Sequence, residues 1–286
     1  MQSIALKDVL KQFPKRPQDS HKGTFGHILN ISGSKSYTGA AILSSLSALK
    51  IGAGYVTLAT VEDVANIVHS HTPDIPTISL KQTANGTISR DNTISVTNRS
   101  QKFDVISIGS GLGKNEETTR FVADFVTQNQ KPIVIDADGL NSISNSEIDK
   151  ISGKSIITPH PKELSRLIKV PVEIIQSDRE YYAVETAKSL ETIVVLKGHN
   201  TIVTDGEQIY INKSGCSALA KAGSGDVLTG MITGLLAQTK NPLNSAILGV
   251  FLHGLTGDIA AKSLTEYGVL ASDLLNFIPK AIKEIL

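Results

Sequence analysis

Apolar runs of strand length recur along this chain between stretches of helical spacing, and no other feature constrains the fold as strongly. The runs are His27–Ser32, Tyr55–Ala59, Asp104–Gly109, Pro132–Asp136, Ser155–Thr158 and Thr192–Lys197. Several are apolar almost throughout, as strands buried on both faces of a parallel sheet must be. Helical patterns at 39–51, 115–129, 161–168 and 172–190 separate them. The order predicts an α/β fold of three layers, with a mostly parallel central sheet and helices on both faces. Residues 200–212 depart from it. There, Asp205-Gly206 between two short β-prone runs predicts a hairpin whose antiparallel strands close one sheet edge. Beyond residue 222 the pattern is helical to the end. With 286 residues and no linker, repeat or low-complexity tract, the chain reads as one domain, 1–286.

Composition narrows the partners. Net charge is +1, from 28 basic and 27 acidic residues, so no global field attracts nucleic acid or an anionic membrane. Tryptophan is absent and aromatics total 5%, which leaves no stacking platform for single-stranded nucleic acid. No uninterrupted apolar run reaches the ~18 residues of a membrane span, and no signal peptide is visible at the start. Cys216 is the single cysteine. It excludes an internal disulfide framework and a cysteine-rich zinc site, and it fits a reducing, cytoplasmic setting. His21, His27, His69, His71, His199 and His253 show no metal-ligand spacing, and His69-Ser-His71 is not the helical pair of zinc hydrolases. Metal ligands therefore stay unassigned.

Glycines cluster after two of the strands, at Gly33–Gly39 and Gly109–Gly113. Open α/β sheets bind ligands at such carboxyl ends. The second cluster is not the dinucleotide fingerprint, because its third glycine stands at 113 rather than 114, and no Walker-type Gly-Lys-Ser/Thr occurs. The most chemical stretch is Ala220-Lys-Ala-Gly-Ser-Gly-Asp-Val-Leu-Thr-Gly230. Gly223 and Gly225 let a ligand approach bare backbone. The N–H groups of the helical turn beginning there point at that ligand, and the helix dipole favours an anion. Asp226 would repel the anion unless it takes a proton from a hydroxyl attacking a phosphoryl group held by those N–H groups. An acidic residue that only complements the dipole is the structural alternative.

Together these segments resemble the ADP- or ATP-dependent NAD(P)H-hydrate dehydratases, a branch of the ribokinase-like superfamily. The likeness covers nearly the whole chain. His21-Lys-Gly-Thr-Phe-Gly-His-Ile-Leu-Asn-Ile-Ser-Gly-Ser looks like the family's opening strand and glycine loop, and Tyr37-Thr-Gly-Ala-Ala-Ile-Leu with Ala48-Leu-Lys-Ile-Gly-Ala-Gly-Tyr-Val-Thr57 like its first helix and second strand. Ile108–Gly113, Asp136–Asn141, Thr158–Glu163, Val195–Gly198 and Gly223–Gly230 follow in order.

The resemblance implies a ribokinase-like fold and a metabolite-repair lyase. Its substrates would be NADHX and NADPHX, the nicotinamide cofactors hydrated at C6 of the ring. A nucleoside phosphate phosphorylates the C6 hydroxyl, and elimination of phosphate restores NADH or NADPH. In that scheme Asp226 is the base and the amides at Gly223 and Gly225 stabilise the transferring group. The resemblance places Ala40, Ala41, Gly111 and His160, with Asp226, against the hydrate. It places Lys197, Gly198, His199, Asn200 and Thr201, with Gly225, around the adenine nucleotide, either ADP or ATP. Mg2+ is expected as companion of the phosphates, and Glu163 as a supporting acidic residue. A homotetramer is implied, and apolar ends such as Ile285 and Leu286 would allow an oligomer. Family members are often fused to an epimerase; at this length the epimerase is expected to be a separate protein.

Two departures bear on nucleotide affinity and on the choice between ADP and ATP. Asn212-Lys-Ser-Gly-Cys216 puts cysteine where the family commonly has asparagine, and Ala222 stands where glycine is frequent. Without a neighbouring base, Cys216 reads as a packing residue rather than a nucleophile. His160 between Pro159 and Pro161 could merely end a buried strand, and Lys197–Thr201 could merely be a strand-to-strand turn. The competing function is a ribokinase-like kinase of a small alcohol, such as hydroxyethylthiazole or hydroxymethylpyrimidine. It shares Asp226 and the anion hole, whereas the N-terminal glycine loops and Thr158-Pro-His-Pro favour the dehydratase. A silent nucleotide-binding regulator is a third reading, against which the intact Asp226 argues.

Overall fold

The structure, a computed structural model, describes residues 2–3, 5–143 and 155–286. Its strands are β1 (Gln2–Ser3), β2 (His27–Ile31), β3 (Tyr55–Val61), β4 (Thr77–Leu80), β5 (Val105–Ile108), β6 (Ile133–Ile135), β7 (Ser155–Ile157), β8 (Ile193–Leu196), β9 (Ile202–Thr204) and β10 (Gln208–Ile211). They form one ten-stranded sheet in the order β1-β10-β9-β8-β7-β6-β5-β2-β3-β4. The pairs from β4 through β8 are parallel, while β8–β9 and β9–β10 are antiparallel. The expected hairpin is present: Asp205 Oδ1 accepts from the amides of Glu207 and Gln208, at 2.9 and 2.7 Å, and turns the chain. Beyond this edge hairpin the two-residue β1 adds one short parallel pair to β10. The strand order reverses between β2 and β5, since the chain leaves β2 for β3 on one side and β5 for β6 on the other. Ligand crevices of open α/β sheets lie outside the carboxyl ends at such a point.

Alternation along each strand divides the core in two. Leu29, Ile31, Ile106, Ile108, Ile133, Ile135 and Leu196 join one buried cluster with Phe121 and Phe125. Ile28, Val105, Val134 and Val195 join the other, with Val227, Met231, Ile247 and Leu274 of the C-terminal helices. The runs are apolar throughout because helices cover both faces. On the second face a polar knot ties the sheet to the helix Thr38–Lys50. Asn30 donates to Ser44 and Ser45, both at 2.8 Å, and accepts from Ser107 at 2.8 Å. The helix Ser224–Thr239 crosses the same helix at close range. A Cβ on Gly230 would collide with the Ser44 carbonyl and the Ser47 hydroxyl, and one on Gly234 with Ile51 and Ala48.

The structure differs from expectation in several places. The helical stretch 172–190 is two helices, Val172–Ser177 and Arg179–Leu190, because Asp178 leaves helical geometry and caps the second by accepting from the Tyr181 amide. The helix Pro242–Gly268 is long and apolar enough to cross a membrane by length and composition, although no uninterrupted apolar run announces it. Of its most apolar window, 72% is buried inside the fold, as a core helix requires. At the C-terminus Ile285 packs against the helical layer, whereas Leu286 is 88% exposed.

Candidate active site

Successive backbone hydrogen bonds continue the parallel sheet past its strands and level the loops that follow. Gly109 N donates to Ile31 O, Asp136 N to Ile108 O, Thr158 N to Ile135 O and Lys197 N to Pro159 O. The two glycine loops are laced together across β2 and β5. Gly33 N donates to Ser110 O at 2.8 Å, and Ser34 Oγ to Gly111 O at 2.8 Å. Gly111 sits so close to the first turn of Thr38–Lys50 that a Cβ there would lie 2.6 Å from the Ala40 Cβ. Gly111 and Ala40, both expected at the hydrate, therefore lie next to each other. Ala41 does not join them: it is fully buried in the core beside Gly33 and offers no surface to a ligand. A helix start presents successive residues in different directions, and only one of two adjacent alanines can face the crevice.

The amino end of Ser224–Thr239 reaches this level from the other face. Gly223 is its N-cap, at φ +89°, where a side chain would be strained and would also strike Leu43. Gly225 has ordinary helical backbone, and its importance is spatial: its Cβ position is open, with the Lys197 ammonium 3.7 Å away. Asp226 follows in the same turn, with Thr229 three residues on and on the same face.

Lys197 leaves its own loop and crosses to Asp136, which ends β6. Its Nζ donates to Asp136 Oδ1 at 2.6 Å and lies 3.8 Å from Glu163. Thr158 donates to the same Asp136 oxygen at 2.7 Å and Thr229 to the other at 2.8 Å. Burial alone would push the Asp136 carboxyl up, but Lys197 and these hydrogen bonds outweigh it and hold the carboxyl below its ordinary range. Burial likewise opposes the Lys197 charge, and the carboxylates of Asp136, Glu163 and Asp226 raise its pKa in spite of it. Asp226 stands in the opposite condition. Burial, then the nearby charge of Asp136, pushes it up to about 6, with the Ser110 hydroxyl and Lys197 pulling the other way. It can thus hold a charge above that pH and accept a proton readily.

His160 caps the helix Pro161–Ile168 in a reciprocal box, its Nδ1 accepting from Glu163 N at 3.1 Å and its own amide donating to Glu163 Oε2 at 2.8 Å. Burial, helped by Lys197 and Arg166 against the pull of Glu163, lowers its pKa and favours the neutral ring. Glu163 therefore joins His160 to Lys197. His160 also lines a cavity of about 780 Å³, together with Lys197, Gly198, His199, Asn200 and Thr201 and with Ser224 and Gly225. That size is ordinary for small-molecule sites. The residues expected on a nucleotide converge here, and His160, expected on the substrate side, lines the same cavity.

Several residues of the site carry no local signal in the sequence. Arg179 clamps the Lys197–Thr201 loop from outside, donating to the carbonyls of Leu196, at 3.0 Å, Lys197, at 3.3 Å, and His199. A Cβ at Gly198, where φ is +145°, would lie 2.9 Å from that guanidinium, so Gly198 is required by the clamp as much as by any ligand. Asp136 could have been suspected as an aspartate directly ending an Ile-Val-Ile strand. Cys216 half-buries against Gly257, and burial pushes its thiol pKa up, as befits packing rather than attack. Ala222 is exposed. Among the described residues no three His, Cys, Asp or Glu side chains group to hold a metal.

Residues 28–280 match the model of the NAD(P)H-hydrate dehydratase family. The chain is 38% identical over 285 residues to the bifunctional NAD(P)H-hydrate repair enzyme of Thermofilum pendens, covering 99% of this chain and 54% of that protein. It spans about half the length of the curated bifunctional relatives it matches. With the ADP-dependent (S)-NAD(P)H-hydrate dehydratase of Listeria monocytogenes it shares 33% identity over 287 residues, 99% of this chain and 97% of that one. Among solved structures, the ADP/ATP-dependent NAD(P)H-hydrate dehydratase of Bacillus subtilis, co-crystallised with ATP/Mg2+, superposes with a TM-score of 0.83 at 30% identity. That alignment covers 98% of this chain and 97% of the other.

Proposed function

Because the chain belongs to the NAD(P)H-hydrate dehydratase family, we propose that residues 1–286 act as one catalytic domain that returns NADHX and NADPHX to NADH and NADPH at the cost of an adenine nucleotide. The observation that carries this reading is the placing of Asp226. It is a carboxylate tuned to about 6, in the first turn of a helix whose Ser224 and Gly225 line the cavity, and within the electrostatic reach of the Lys197 ammonium.

Asp226 removes the proton of the C6 hydroxyl as its oxygen attacks the terminal phosphoryl group of ADP or ATP. The amides of the Gly223–Gly225 turn, with Lys197, take up the charge on that group. The donor leaves as AMP or ADP. The C6–O bond of the phosphorylated hydrate then breaks with the ring nitrogen lone pair behind it, and loss of a C5 proton completes the dihydropyridine and inorganic phosphate. Ala40, Gly111 and His160 bound the hydrate in this reading, and Lys197–Thr201 with Gly225 the nucleotide. A resident magnesium site does not fit the residues present: both oxygens of Asp136 are engaged by Lys197, Thr158 and Thr229. Mg2+ would arrive on the phosphates and keep its waters, as it commonly does.

We read the biological role as cytoplasmic metabolite repair by a homo-oligomer, a tetramer, working beside an NAD(P)H-hydrate epimerase. The relatives called bifunctional NAD(P)H-hydrate repair enzymes, about twice as long as this chain, are consistent with a second repair activity beside it. The test is incubation with prepared hydrate, Mg2+ and each nucleotide in turn. Recovery of the near-ultraviolet absorbance of the dihydropyridine is expected. Phosphorylation of hydroxyethylthiazole with no such recovery would establish the small-alcohol kinase instead.

A further inference from the structure

His253 lies on the helix Pro242–Gly268, far in sequence from the glycine motif, yet its ring closes on that motif. Its Nε2 stands 3.0 Å from the carbonyl oxygen of Ser224 and 3.2 Å from the Ser224 hydroxyl. A carbonyl can only accept, so Nε2 carries the hydrogen. Burial drives the imidazole pKa down to about 4, which keeps the ring neutral and leaves its second nitrogen unprotonated. Nδ1 is then an acceptor, and among the described residues it has no hydrogen-bond partner. It is not sealed inside the protein either: His253 keeps 8% of its surface exposed, and among the described residues the buried side-chain atoms without partners belong to Ser32, Thr60, Thr97, Ser110 and Arg179. The ring instead lines the large cavity, next to the apolar side chains of Leu219, Leu228 and Val250.

An unprotonated nitrogen beside a polyphosphate would repel the phosphate oxygens, so it selects a part of the ligand that donates. In a nucleotide the donors are the sugar hydroxyls and the exocyclic amine of the base. We propose that His253 reads the nucleoside half of the bound nucleotide: Nδ1 accepts a hydrogen bond from a donor on the sugar or base, while Nε2–H holds the Ser224 carbonyl. The same ring thus fixes the first turn of the anion hole, through Ser224, and senses whether the cavity beside it is correctly filled. This rests on the reading of the cavity as the nucleotide site.

Calorimetry on the whole protein with ADP, 2′-deoxy-ADP, 3′-deoxy-ADP and the inosine diphosphate tests it. Wild type should bind one of the three analogues about 3- to 10-fold more weakly than ADP, the usual value of one hydrogen bond. A deoxy analogue would identify the sugar, and the inosine analogue the base. His253→Phe keeps the ring volume and should erase that one difference. In wild type, the 15N resonance of unprotonated Nδ1 should move on addition of ADP, a readout that does not depend on how well the variant folds. ADP that binds without moving Nδ1, or a discrimination that survives His253→Phe, overturns the role of His253 and leaves the nucleotide site standing. Failure of wild type to bind any of the four nucleotides takes both readings down.

Discussion

Asp136 and Asp226 face the same ammonium group from two elements of the fold, and they are kept in opposite states. Asp136, at the end of β6, is sealed from solvent and fully engaged by Lys197, Thr158 and Thr229. Asp226, at the start of Ser224–Thr239, is not sealed from solvent, and the Ser110 hydroxyl and Lys197 that favour its charge do not outweigh burial and Asp136. Two like carboxylates separated in this way divide the work. One is ionised at all working pH and holds Lys197 in position. The other is raised towards neutrality and is free to move a proton.

The sharpest way to break this contrast is Asp226→Asn. It should lower kcat by ~10²–10⁴-fold, the usual weight of a general base, with both ligands still bound. Steady-state turnover above half of wild type would remove Asp226 from that role. Asp136→Ala should act first on stability. It leaves the Lys197 charge buried and unpaired, and a loss of about 3–5 kcal/mol is expected in denaturant titrations; a loss under 1 kcal/mol would mean that the pair is dispensable to the fold.

The pH dependence refines the comparison. Because the base must be ionised, kcat/KM should fall as pH drops below about 6 and level off above it. In Asp136→Ala that limb should move to lower pH, since the repelling charge is gone and Lys197 is released towards Asp226. An unmoved limb would show that Asp136 does not set the pKa of its neighbour. The smallest effect expected is one of sign. A carboxyl raised in the folded state is penalised once it ionises, so Asp226→Asn should raise Tm above the pKa near 6. The gain should vanish below the ordinary carboxyl pKa, where both side chains are neutral. For Asp136, whose folded pKa is depressed, stabilisation is present above the unfolded value and fades as the solution is acidified. Thermal melts of Asp226→Asn and Asp136→Ala across pH should therefore diverge.

Much of the frame is legible in the chain because it is local. The buried strands show as unbroken apolar runs, the hairpin as Asp205-Gly206, and the anion hole as two glycines before an apolar helical pattern. β4 is missed because Thr77–Leu80 is short and mixed at a sheet edge, and β1 because a two-residue strand has no pattern. Ala40 and Ala41 are not told apart in the sequence because adjacency does not say which residue of a first turn is buried and which keeps some surface. The electrostatics were illegible for another reason. Lys197 and Asp136 are 61 residues apart, and Arg179 and His253 act on loops far from their own helices. Only the folded arrangement decides whether Lys197 reaches towards a ligand in its own loop or back to a strand end.

The crossing at Gly230 and Gly234 has a mechanical consequence. At Gly230 and Gly234 the helix that begins with the anion hole brings bare backbone against the helix that begins beside Ala40, on its Ser44 and Ala48 carbonyls and its Ser47 and Ile51 side chains, with no room for a Cβ. The distance from acceptor to donor is thereby gauged by two stiff rods clamped at mid-length, a spacing that ligand binding does not have to create. Gly230→Ala would act as a shim. By lifting one rod off the other it would open the reactive distance, and misplacement by about 1 Å can cost ~10²-fold in rate. Such a variant would bind each partner alone nearly as well as before and fail only when the two must react.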